Sequence, residues 1–176
     1  MSAVHSDAIA LLKADHRKVE DLFEKFKGAK GSRIKRELVK QICTELTVHT
    51  IIEEEIFYPA CRGKMPDDML DEAFVEHDGA KVMIAELEAG APDEEFYDAK
   101  VKVLSEEIEH HVKEEEQPSD GIFAKARAAK LDLGEIGVRL SARKQELTAR
   151  FKADGLPSPQ TRTFTEQELN KVAPTA

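Results

Sequence analysis

The chain has 176 residues, is 41% hydrophobic and carries a formal net charge of −9. That length supports one domain of ordinary size with a core of its own. So acidic a surface argues against nucleic acid or an anionic membrane as the main partner, and no apolar run reaches the ~20 residues of a membrane span.

The first residues, MSAVHSDAIALLKADH, lack a basic start followed by an apolar block, which points to a cytoplasmic rather than a secreted protein. Apolar spacing is helical almost throughout, and no strand-like alternation persists. Gly28 and Gly31 close a first helix, and Pro59, Gly63 and Pro66 a second. Gly90 and Pro92 close a third, and Pro118 and Gly121 a fourth. Asp67 or Asp68 is the expected cap of the third helix and Asp93 of the fourth. The predicted architecture is all-α, an antiparallel up-down-up-down four-helix bundle over residues 1–127 with additional C-terminal helices.

After Gly121 a short helix is expected, then a longer one from about Glu135 to Phe151 with a modest apolar face of Ile136, Leu140, Leu147 and Phe151. Residues 128–152 form a helical extension expected to pack on the bundle. Residues 153–176 read as a mostly irregular tail, although Thr165 and Glu168 have capping-box spacing. On one helix Cys43 and Cys61 would lie roughly 27 Å apart, too far to bridge, so both read as reduced thiols.

The four bundle seams carry the chemistry. Ile9, Leu12, His16, Val19, Phe23 and Phe26 form the first; Val39, Ile42, Leu46, His49, Glu53, Ile56 and Ala60 form the second. Leu70, Ala73, His77, Ala80, Ile84 and Leu87 form the third; Tyr97, Val101, Leu104, Ile108, His111 and Glu115 form the fourth. Steps of three and four keep each series on one helix face. Each seam is apolar except near its middle, where one histidine stands. In the second and fourth a glutamate follows one turn later. The pattern repeats: His16 and His77 are 61 residues apart, and an offset of 62 lays ELTVHTIIEEE on EIEHHVKEEEQ, His49 on His111 and Glu53 on Glu115.

A single histidine on an apolar seam is ordinarily a hydrogen-bonded core residue. Four of them with two carboxylates leave two readings, a buried His–Glu hydrogen-bond network or a metal site. The second is favoured, because a buried ionised carboxylate needs compensation that a dication supplies. Imidazole with carboxylate suits iron, manganese or zinc better than magnesium or calcium. In HHVKEEE, residues 110–116, the seam residues are His111 and Glu115, while His110 and Glu114 fall off it as solvated charge. Glu54, Glu55 and Glu116 read as surface carboxylates, Asp15 and Glu76 as exposed. Glu45 and Glu107, one turn before their histidines, either orient the imidazoles or are solvated.

The seam histidine of the first helix, then HTIIEEEIFYP with its H-x3-E spacing, VEHDG and HHVKEEE, in that order, resemble the hemerythrin-like, or HHE cation-binding, family over residues 7–127. The resemblance implies a four-helix bundle holding a non-haem di-iron centre, two iron ions with an oxo or hydroxo bridge. His16, His49, His77 and His111 match its terminal ligands, and Glu53 and Glu115 its bridging carboxylates. Oxygen-carrying members have a further histidine on the third helix where this chain has Ala73, which leaves a coordination position open at each iron and not only at one. Tyr58 and Glu45 are the candidates to fill it. The second departure is about four extra residues around 117–121.

The expected function is therefore a di-iron protein that binds or reacts with oxygen, nitric oxide or hydrogen peroxide in sensing or detoxification. Manganese or zinc is the less favoured metal. The alternatives are iron storage, sensing or donation without turnover, and a helical adaptor stapled by its metal. The sequence assigns neither catalytic turnover nor a protein partner.

Overall fold

Asp7 accepts a hydrogen bond from the Ala10 amide and starts helix α1, Ala8–Gly28. Gly31, at φ 91°, turns the chain into α2, Ser32–Ile52. The rod does not stop there. A π-helical stretch, Glu53–Phe57, carries it into the single turn α3, Tyr58–Cys61. Helices α4, Asp67–Ala89, and α5, Tyr97–Glu115, complete the bundle, and α6, Ile122–Ala128, and α7, Leu133–Asp154, follow. This computed structural model describes residues 7–164, and no strand occurs among them.

Helix α1 packs on α2 and α5, and α4 packs on α2 and α5. This ring of neighbours, with short connections between consecutive helices, is a four-helix bundle. Helix α7 packs on α1, α2 and the π-helical stretch. Two apolar clusters fill the bundle. One holds Phe23, Ile42, Leu46, Ile84 and Leu104. The other holds Ile9, Leu12, Phe57, Leu70 and Phe123 together with Ile136 and Leu140 of α7. On α1, α2 and α4 the histidine lies where one cluster meets the other, so the polar belt runs between two apolar layers.

Several local expectations change. Helix α5 starts at Tyr97, because residues 91–96 form turns in which the Glu94 carboxylate accepts the Ala91 amide; Asp93 is not its cap. Asp67 accepts the Gly63 amide and closes the preceding loop, while Pro66 holds the cap position of α4. Helix α7 begins at Leu133, capped by Asp132, which accepts the Glu135 amide. Thr165 and Glu168 lie outside the described residues. The π turn shifts the second seam by one residue: the Tyr58 amide bonds back to the Glu53 carbonyl, five residues earlier. Beyond it, Phe57, Tyr58 and Cys61 are buried, whereas Ile56 and Ala60 are only half-buried. Both cysteines are free and buried.

Candidate metal centre

The belt contains all six residues singled out on the seams. His16, His49, His77 and His111 are buried, and Glu53 and Glu115 are fully so. The imidazoles face each other in pairs. His16 Nε2 lies 3.1 Å from His49 Nε2, and His77 Nε2 lies 3.2 Å from His111 Nε2. The carboxylates span the pairs. Glu53 Oε2 is 3.2 Å from His49 Nε2 and 3.4 Å from His77 Nε2. Glu115 Oε2 is 3.4 Å from His16 Nε2 and 3.6 Å from His111 Nε2. His16, His49, Glu53 and Glu115 form one group whose ligand atoms lie within 4.8 Å of one another, and Glu53, His77 and His111 form a second. Glu53 belongs to both.

A ring of carboxylates surrounds this set. His16 Nδ1 donates to Glu116 Oε1 at 2.7 Å, His77 Nδ1 to Glu54 Oε1 at 3.2 Å, and His111 Nδ1 to Glu76 Oε2 at 2.6 Å. His49 Nδ1 faces Asp15 Oδ2 at 3.6 Å. Each carboxylate serves the next helix round the bundle: Asp15 of α1 serves α2, Glu54 of the π-helical stretch serves α4, Glu76 of α4 serves α5, and Glu116, the C-cap of α5, serves α1. These four were expected on the surface, and the structure overturns that. Asp15 and Glu54 are buried, and Glu76 and Glu116 half-buried. A residue beside a seam position is rotated by about 100° from it on a helix of 3.6 residues per turn, toward the neighbouring helix. The missed signal was the repeat itself, which also lays Asp15 on Glu76 and Glu54 on Glu116. Glu45, by contrast, pairs with Lys18 at 2.6 Å, away from the imidazoles.

Tyr58 is brought in by the π turn. Its hydroxyl donates to Glu115 Oε1 at 2.9 Å and lies 3.3 Å from Glu53 Oε2 and 3.4 Å from His77 Nε2. Its ring stacks on His77 and meets Phe74 edge-on. Burial and the two glutamates raise its pKa well above the usual value, so the phenol keeps its proton.

The donor set fits a metal. An Nδ1–H held by a carboxylate leaves the Nε2 lone pair pointing inward, the tautomer that binds metal. His16, His77 and His111 are held in this way, and His49 Nδ1 faces Asp15 at longer range. Four Nε2 atoms and two carboxylates converge, and Glu53 Oε1, Glu115 Oε2, His49 Nδ1 and Asp15 Oδ2 are buried without a hydrogen-bond partner. Without a metal ion, protons must fill the role. Burial alone would lower the His49 pKa, but Glu53 and Asp15 outweigh it and raise it to about 10; Glu53 and Glu54 likewise raise His77 to about 9.

The sequence model of the hemerythrin HHE cation-binding domain matches residues 7–118, which span every one of these groups. The chain belongs to the hemerythrin HHE cation-binding domain family. A solved HHE cation-binding domain-containing protein from Mycobacterium kansasii shares the fold with a TM-score of 0.70, at 23% identity, over 86% of this chain and 95% of that one. A DNA nickase from Nostoc is 27% identical over 106 residues, 60% of this chain, and the chain spans only 30% of the nickase's length. Among the described residues of this HHE protein no helix is long and apolar enough to cross a membrane.

Proposed function

We propose that this HHE domain holds two iron ions and uses them to bind or react with a small ligand, oxygen, nitric oxide or hydrogen peroxide, in sensing or detoxification. The convergence of four Nε2 atoms on two carboxylates, each with one buried oxygen left unpartnered, carries the reading. His16 and His49 would hold one ion and His77 and His111 the other, with Glu53 and Glu115 between them. Bound iron supplies Lewis-acid and redox chemistry. The chain's own groups do the rest. Asp15, Glu54, Glu76 and Glu116 fix the imidazole tautomers. Tyr58 holds a proton beside both glutamates, poised to donate a hydrogen bond to a ligand. Ala73 borders a cavity of about 230 Å³ that reaches His111 and Glu115, room suited to a ligand of a few atoms. Burial of the whole set favours a retained centre over iron storage or donation.

Metal analysis with an optical spectrum tests the centre. About two irons per chain are expected, in keeping with the two ligand groups, with a charge-transfer band that is lost in His49→Ala and His111→Ala but kept in His110→Ala. Titration of the iron form with the three ligands tests the function; optical and EPR spectra unmoved by all three would rule it out.

A further inference from the structure

The two halves of the centre are closed differently. In the first half the residues just before His49 and Glu53 are Val48 and Ile52, buried in the apolar cluster that α7 completes. The carboxylate there, Asp15, is paired with Lys144 of α7. The repeat puts His110 and Glu114 at the positions of Val48 and Ile52, and Glu76 at that of Asp15. Among the described residues no helix covers His110 and Glu114 in this second half. The side chains of His110 and Glu114 are 63% and 43% exposed. Among the described residues Glu76 pairs with His110 and His111 and with no lysine or arginine.

These three side chains make a site of their own. His110 Nε2 is 3.2 Å from Glu114 Oε1 and 3.8 Å from Glu76 Oε1, and the three ligand atoms lie within 4.8 Å of one another. An exposed His–Glu pair one helical turn apart is by itself only solvated charge. This one adjoins the cavity that leads inward, whose wall includes Glu76, Glu114, His111 and Glu115. Glu115, one of the wall residues, has its Oε2 buried and unpartnered behind the wall, toward His16 and His111. Glu76 faces both ways, one oxygen on His111 Nδ1 and the other toward His110.

We propose that Glu76, His110 and Glu114 form a surface site for a divalent transition-metal cation, from which the ion passes along the adjoining cavity to the buried centre. One imidazole and two carboxylates bind such ions readily and release them readily, as a transfer site requires. The ion takes the place that the Lys144 ammonium holds in the closed half. This route rests on the reading of the buried belt as a metal centre.

Rapid mixing of the metal-free protein with Co²⁺, followed by its visible absorption, tests the route. The His110→Ala/Glu114→Gln double variant should reach the wild-type end point and bound-metal count, at a rate lower by at least about tenfold at low ionic strength. Glu106→Gln, which removes the same charge two turns away on α5, should load at the wild-type rate. Equal rates for the double variant and wild type, or equal slowing by Glu106→Gln, would overturn the route. Wild-type protein that binds no Co²⁺ would overturn the buried centre, and the route with it. His49→Ala separates the two ideas: it should lower the end point.

Discussion

Glu116 stands next to Glu115 in the chain and serves a different purpose. Glu115 faces the centre, whereas Glu116 grips the outer nitrogen of His16 and is itself held by Arg17 and Lys13. Glu116→Gln keeps the shape but weakens the grip on the imidazole N–H. Metal binding should weaken by roughly tenfold with the bound-metal count unchanged, as competition with a chelator would measure. The six inward-facing residues were legible in the sequence because a polar residue on an apolar seam breaks a strict pattern. The outer ring was not, because Asp15, Glu54, Glu76 and Glu116 sit among other charged residues on faces that an isolated helix would expose. Only the arrangement of four helices turns those faces toward a neighbour's histidine. Tyr58 was a candidate from the vacancy left by Ala73, and its actual position depends on a π turn that no spacing announced.

At the level of elements, the chain between α5 and α6 folds back on the end of α5. The close approach occurs at Gly121: a β-carbon there would lie 2.5 Å from the Glu115 carbonyl oxygen and 2.7 Å from both the Glu114 carbonyl oxygen and the Gln117 nitrogen. All three are backbone atoms, so Gly121→Ala must move the last turn of α5. Denaturant titration should show a loss of about 1–3 kcal/mol. Metal affinity should fall in the same variant, because Glu115 and Glu116 are in the turn that moves. The extra residues here were visible as a mismatch between the two halves of the repeat, and Pro118 and Gly121 marked a break. That the break presses on the centre became apparent only from the backbone path. The start of α5 was misjudged for a related reason: Asp93 has the chemistry of a cap, but the Glu94 side chain closes a turn first.

Across the whole molecule the centre dominates the response to pH. His49 and His77 are raised in the metal-free fold, to about 10 and about 9, from an ordinary 6.5. Their contribution to stability is therefore full below pH 6.5, declines as the pH rises and is gone above about 10. Glu53 moves the other way: burial would raise it, but His49 and His77 hold it well below the usual carboxylate range, so its contribution is lost as the pH falls below that range. Metal-free protein should lose stability between pH 7 and 9, and metal-bound protein should not, since its ligand imidazoles have already given up their protons. Chemical denaturation across that interval, with and without metal, checks this. The bundle itself was legible from periodicity and breakers. The path of residues 155–164 was not, because it has no periodicity to read. Asp78, buried in α4, accepts the Arg162 and Thr163 amides and the Thr163 hydroxyl, and Arg162 covers Phe74.

The two glutamates between the histidine pairs are chemically alike but mechanically unlike. Glu53 sits inside a rod that runs without a break from Ser32 to Cys61, gripped by backbone on either side. Glu115 is the last residue of its helix, with a proline two residues after Glu116 and a sharp bend beyond. A change in the size or charge of whatever lies between them meets a stiff support on one side and a compliant one on the other. Any give in the centre is thus expected at the end of α5, at Glu115 rather than at Glu53.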